Sequence, residues 1–360
     1  MILDMSDFKN IFKNTDFHLP IRWNNTDFVK TLHLLYENYQ KNIEAYATKY
    51  FGHMDSGSEI YVDEKRIKSI CKRIENAVQA YLNGFPSRAF TNFSKILEEL
   101  QNTPLRIYKN LIIDKQPLDD ALPLYRVTCV NDNIPYKRER VFHTPYNLRS
   151  KIATTRYSIA GFPSLYLGTS LELCCEEIHM NPHTQFALAS RFDWNLSVKK
   201  EIRIIDLAIK PQDFLDQESP SHKNNTRYKQ IKHSLLNQAD ICEAYLLWYP
   251  LIAACSYIRV AKNDPFAVEY IIPQLLMQWV RKENDHEELV GIRYFSCASV
   301  RASDMGFNYV FPTVTKIESS QYCPILAQSF VLTKPHYIHE YDNIERCEEA
   351  LRHDADLKFI

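Results

Sequence analysis

Apolar residues at Phe28, Leu32, Leu35, Tyr39, Ile43, Tyr46 and Tyr50 recur every three or four positions, the spacing that lines one face of a helix. Thr26 or Asp27 is placed to cap its start, because a short oxygen-bearing side chain there accepts amide hydrogens that the first turn leaves unpaired. A second stripe runs through Ile67, Ile70, Ile74, Ala77, Val78 and Tyr81 and stops at Asn83-Gly84, a pair suited to a left-handed helix end. A third follows Pro86-Ser87 with Phe90, Phe93, Ile96, Leu97 and Leu100. The opening hundred residues therefore predict a helical bundle, with the aromatic stripe as its core.

After Pro117 and Pro123 the period shortens. LYRVTCV, from Leu124, has the alternation and β-branched content of a strand, and SLYLG, EIRIIDLAI, VGIRYFS, FNYVF and AQSFVLT repeat it. Between them the pattern predicts helices over Glu172–Met180, over Ala239–Ser256 with a bend at Pro250, and over Tyr270–Lys282 with Pro273 in its first turn. Strands mixed irregularly with helices predict an α+β fold rather than a regular β-α repeat. The expected boundaries are a helical region at 1–115, a mixed domain at 116–335 and a tail at 336–360. Residues 211–230 read as an exposed polar insertion, and the charged tail beyond Lys334 as a surface appendage ending in a short helix.

Composition narrows the function classes. With 43 Lys plus Arg against 44 Asp plus Glu, no net field draws in nucleic acid or anionic lipid, so neither is an expected partner. Hydrophobic residues at 45% supply material for a core, yet no run approaches the ~20 apolar residues that cross a bilayer. The nine cysteines are scattered without a C-x-x-C pair, which fits a reducing cytoplasmic setting.

The candidate chemistry lies in LYRV, in RYSIAGFPSLYLGTSLELCCEE (Arg156 to Glu177), in YIIPQ (Tyr270 to Gln274) and in GIRYFS (Gly291 to Ser296). Arg126 and Arg156 offer planar forks of donors that match phosphate oxygens. Thr169 or Ser170 can cap the helix that follows Tyr166, and Thr169 with Glu172 has capping-box spacing. On that helix Leu171, Cys174, Cys175 and Ile178 form the apolar face, and Glu177 borders it. Cys174, Cys175, His179 and His183 do not make a metal site, since adjacent cysteines on a helix diverge by about 100°; both cysteines are expected in the core. His143 is expected to serve as a structural hydrogen-bonding group.

Together with FHTPYNLR, TRYS and the closing FNYVFP, these segments resemble the RES domain family over most of residues 120–335. The resemblance implies an ADP-ribosyltransferase-like mixed β core that cleaves the nicotinamide–ribose bond of NAD, as a glycohydrolase or phosphorylase. NAD would be the substrate, with no further cofactor and no metal. Carried over, the catalytic residues are Glu177, Arg126 and Ser296, and the NAD-binding residues are Arg156, Tyr166, Tyr157 and Tyr294. Glu176 and Ser299 stand close enough to Glu177 and Ser296 to compete for those positions. The family further implies a toxin or defence effector and leaves room for an inhibitory protein partner and for homo-oligomers. The long helical region and the insertion near 211–230 depart from its compact members; the helices suit a partner-binding module, a dimerisation surface or a lid. Two rival readings are transfer of ADP-ribose to a macromolecule and a HEPN-type ribonuclease using Arg227 and His233.

Overall fold

The structure, a computed structural model, describes residues 1–24, 26–47, 59–101, 108–109, 123–180, 186–195, 197, 202–215, 236–261, 263–284, 289–314 and 321–360. In chain order the elements used below are β1 (Ile2–Leu3), α1 (Met5–Phe12), α2 (Phe28–Ala47), β2 (Ile60–Tyr61), α3 (Glu64–Leu82), α4 (Pro86–Leu100), β3 (Tyr108–Lys109), β4 (Leu124–Val130), β5 (Ser164–Gly168) and α5 (Leu171–Glu177). They continue with β6 (Phe186–Trp194), β7 (Ile202–Leu207), α6 (Pro211–Leu215), α7 (Ala239–Ala254), α8 (Ile271–Glu283), β8 (Leu289–Tyr294), β9 (Asn308–Pro312), α9 (Pro324–Ser329), β10 (Phe330–Leu332), β11 (His336–Tyr337) and α10 (Ile344–His353). The fold is α+β: helices lead, and a mixed-order sheet follows.

The chain divides into two compact units, Met1–Ile107 with Asp206–Trp279, and Tyr108–Ile205 with Val280–Ile360. These units do not follow the expected boundaries, because 206–279 groups with the N-terminal helices and the tail with the sheet. The reason in the first unit is α7. Its apolar residues run all round the helix, and Tyr245 through Ala254 are all buried, so it needs partners on every side. Phe12 packs against Tyr39, Tyr245 and Tyr249 with ring centroids 5.4–6.3 Å away. Pro250 lacks the N–H that would pair with the Leu246 carbonyl one turn earlier, and the Tyr39 hydroxyl donates to that carbonyl at 2.9 Å. Helix starts follow the sequence reading: the Asp27 carboxylate accepts from the Lys30 amide at 3.1 Å, and α3 ends at Asn83 with Gly84 at φ +81°. Helix α1, capped by Asp4, was not legible in the mixed polar and apolar opening of the chain. Residues 211–215 are helical, with Pro211, Asp213 and Phe214 buried, so the insertion does not begin as an exposed loop; 216–230 lie outside the described residues.

In the second unit the described residues form a nine-stranded sheet in the order β10-β6-β4-β5-β9-β8-β7-β3, with β11 also on β6. Its longest strand, β6, escaped the sequence reading because Ala187 through Phe192 are all buried and the polar–apolar alternation is lost. Ser190 and Arg191 are tolerated inside because both are bonded. The Ser190 hydroxyl donates to the Thr333 carbonyl at 2.8 Å, and the Arg191 guanidinium donates to the Leu351 carbonyl at 2.8 Å, to the Arg352 carbonyl and to Asp193 at 3.0 Å. AQSFVLT is a strand only over Phe330–Leu332, since Pro324 opens helix α9 through Ser329.

The tail is no surface appendage. Residues His336 and Tyr337 pair with β6, and α10, capped by Asn343, buries Cys347 and Leu351 against α5 and β4. Replacing Leu351 with Ala is expected to cost about 2 to 5 kcal/mol, the range for emptying a buried leucine site, read from urea unfolding; a change within error would return the tail to the surface. Removing residues 1–107 is expected to give insoluble protein, checked by soluble yield, because it uncovers the buried rings of α7.

Candidate active site

Strand β4 pairs with β6 at seven positions, from Leu124 opposite Phe192 to Val130 opposite Phe186, but meets β5 only at Tyr125 opposite Gly168. Backbone groups facing that parting need other partners. Arg126, the residue after the last shared pair, supplies one: its Nη1 donates to the Tyr166 carbonyl at 3.0 Å. Its Nε is buried without a partner, and no carboxylate among the described residues forms an ion pair with the guanidinium. Burial pushes the Arg126 pKa down to about 10, with Arg140 adding to the fall and Cys174 and Tyr166 opposing it. The group is still cationic at neutral pH.

Helix α5 brings up the carboxylate. The Ser170 hydroxyl caps it by accepting from the Leu173 amide at 3.3 Å, and Glu348 of α10 accepts from the Leu171 amide at 2.8 Å. Thr169 does not cap; its hydroxyl accepts from the Phe307 amide at 2.9 Å, and Glu172 pairs with Arg301 at 3.0 Å. Leu171, Cys174 and Cys175 are buried against Tyr125, Val127, Ala187 and Ala189, as core residues should be. The approach requires Gly168, where a Cβ atom would lie 2.7 Å from the Cys174 sulfur.

This packing directs Glu177, at the last turn of α5, to the sheet, where its Oε1 accepts from the Asn308 amide nitrogen at 2.6 Å. Asn308 stands opposite Gly168 on one side and Tyr294 on the other. Burial raises the Tyr294 hydroxyl well above the ordinary tyrosine range; the nearby charges of Glu177 and Tyr166 raise it further, and Arg156 opposes them. Tyr157 is buried and tilts against Tyr294 with centroids 4.6 Å apart at 50°. The Tyr166 hydroxyl bonds the Thr155 hydroxyl at 2.7 Å and donates to the Tyr157 carbonyl.

Glu177, Tyr294, Tyr166, Tyr157 and Arg156 thus share one neighbourhood, and Arg126 joins it through Tyr166. Ser296 does not join by any direct bond: fully buried after β8, its hydroxyl accepts from the Ala298 amide at 3.1 Å in its own loop. YIIPQ falls in the other unit. Asn308 was missed, although it lies in FNYVFP; only the strand register reveals that it faces the end of α5. Glu348 was missed because the tail was read as an appendage. Arg227, His233 and His183 lie outside the described residues.

The chain is 30% identical over 275 residues to a Bacillus subtilis (strain 168) protein described as "Putative toxin YopC". The match covers 75% of this chain and 58% of the relative, so the chain spans well under two thirds of that protein's length. No family model matches the chain, and neither does any solved structure.

His143 has the structural role expected of it. Buried, it accepts from the Cys323 amide through Nε2 at 2.9 Å, which places its proton on Nδ1, 2.8 Å from the Thr144 carbonyl. Burial lowers its pKa to about 4, and the Arg126 charge adds to the effect while the Thr144 bond opposes it. Between that value and the ordinary 6.5, the unfolded chain binds a proton that the folded one refuses. Stability from this group is therefore complete above pH ~6.5 and is lost as the pH falls toward 4, by on the order of 3 kcal/mol. Urea midpoints at pH 7 and 4.5 are expected to separate more for the parent than for His143→Gln; equal separations would rule the account out.

Proposed function

We propose that the second unit is a RES-type domain with an ADP-ribosyltransferase-like core, that it cleaves the nicotinamide–ribose bond of NAD, and that the protein acts as a toxin. The observation that carries the reading is Arg126: a guanidinium with a buried, unpartnered nitrogen and, among the described residues, no carboxylate ion pair, placed where two strands part. A half-buried cation held by a single carbonyl is costly, and an anionic ligand would relieve that cost. A dinucleotide's diphosphate is such a ligand, and bidentate donors suit its oxygens.

Breaking the bond to nicotinamide develops positive charge on the ribose, as in glycoside cleavage. Glu177 is suited to face that charge. It is held by a neutral amide, and no ion pair to either arginine cancels it among the described residues. Arg156 would share the phosphate charge with Arg126. The half-buried rings of Tyr166 and Tyr294, the latter backed by the buried ring of Tyr157, are flat apolar surfaces of the kind that hold nicotinamide or its ribose. Ser296, turned into its own loop, supports that loop in this reading. The toxin role is supported by the similarity to the Bacillus subtilis protein described as "Putative toxin YopC", and it leaves room for an inhibitory protein partner.

Purified protein incubated with labelled NAD, with and without phosphate, is expected to release nicotinamide together with ADP-ribose or its phosphate ester. Glu177→Gln should slow this by at least ~100-fold, the scale of losing one preorganised electrostatic group, and Arg126→Lys should raise KM. Undiminished NAD loss by Glu177→Gln, or none by the parent, would sink the reading; label on a macromolecule would move the acceptor from water or phosphate to that target.

A further inference from the structure

Glu177 is held to the sheet by one side chain, and the kind of side chain matters. Asn308 is 5% exposed and opens β9, opposite Gly168 at the end of β5 and Tyr294 at the end of β8. Its amide nitrogen donates to Glu177 Oε1 at 2.6 Å. A strand position at this burial ordinarily carries an apolar side chain, as Val310 and Phe311 do two and three residues further along β9. An amide costs stability there unless it is bonded. The carboxylate meets that need, and the amide in turn fixes which way the carboxylate points. An arginine at this place would also fix it, but would neutralise its charge. A hydroxyl reaches less far, and an aspartate would repel it. Asn308 supplies orientation without neutralisation, which is what a carboxylate facing a developing cation requires.

We infer that Asn308 is a positioning residue, acting through Glu177 to hold its carboxylate aimed; the inference rests on the NAD-cleavage reading for its chemistry. It touches the carboxylate and is not itself required to touch substrate. A residue of this kind affects turnover more than binding, because a small misplacement of the reacting group weakens the transition state and leaves the substrate's other contacts in place.

The test is a double-mutant cycle with Asn308→Ala, Glu177→Ala and the pair, following kcat and KM for NAD. Asn308→Ala is expected to lower kcat about 100-fold with KM nearly unchanged, and Asn308→Gln, which keeps an amide donor, to recover part of the loss. In the Glu177→Ala background, Asn308→Ala should slow turnover no further, since the group it aims is gone. An equal further loss in that background, or a rise in KM with kcat intact, would overturn the assignment. Melting temperatures of the same four proteins supply an arm that needs no substrate. The two single shifts should combine to less than their sum, whereas additive shifts would show that the two side chains are not coupled. Should the parent consume no NAD, the proposed reaction falls, and the melting cycle alone decides whether Asn308 holds Glu177.

Discussion

A sheet that parts between two of its strands exposes backbone groups that a continuous ladder would pair, and this constraint organises the candidate site. Beyond Tyr125 and Gly168, β4 stays with β6 and β5 stays with β9. One carbonyl on the edge of β5, that of Tyr166, is taken by the Arg126 guanidinium. A long charged side chain thereby does what a neighbouring main chain would do elsewhere, and it brings a positive charge into the place where the two halves diverge. At the one pair that the two strands share, Gly168 lies beside α5, close enough that its missing Cβ is what admits Cys174. The cation is placed by the parting and the carboxylate by the helix that packs at its start.

The position of α5 depends on more than β5. A seven-residue helix is too short to be stable alone. It is fixed by burying Leu171, Cys174 and Cys175, by the Ser170 cap, and by Glu348, which reaches across from α10 to its first amide. Helix α10 is anchored in turn by Arg191 of β6, whose guanidinium binds the carbonyls at its C-terminal end, where the helix leaves acceptors unpaired. The last thirty or so residues of the chain therefore support the element that carries Glu177, and they do so through β6, a strand on the other side of β4.

What was legible in the sequence follows from which forces act locally. Helices α2, α3 and α4 and strands β4 and β5 show a clean period with caps and stops beside them, and their limits match the reading closely. Strand β6 shows no alternation because both of its faces are covered, and the burial of Ser190 and Arg191 is decided by Thr333 and Leu351, more than 140 residues away. The grouping of α7 with the N-terminal helices was hidden for the same reason, since Tyr36 and Tyr39 find the Pro250 and Leu246 carbonyls across some two hundred residues. Within the site, Glu177 came from the resemblance, with Glu176 left open beside it. Asn308 was not legible, because strand register depends on partners that the sequence does not name. Ser296 was assigned by resemblance, and the sequence could not show that its hydroxyl accepts an amide hydrogen within its own loop.

At this site Arg126 is held by a carbonyl and Glu177 by an amide, both of them neutral groups. Pairing them with each other would have been the cheaper way to bury both, because an ion pair offsets part of the desolvation that each suffers alone. Elsewhere in the same unit the chain does pair charges, as the buried Arg191 does with Asp193 and the half-buried Arg138 with Asp356. The contrast separates structural charges from those at the parting of the sheet. An arginine already neutralised has little left for a phosphate, and a carboxylate already neutralised has little left for a cation that forms only in the transition state. Holding both by dipoles keeps each fixed in direction and whole in charge, and the stability given up in doing so is the kind of cost that binding sites carry and structural cores do not.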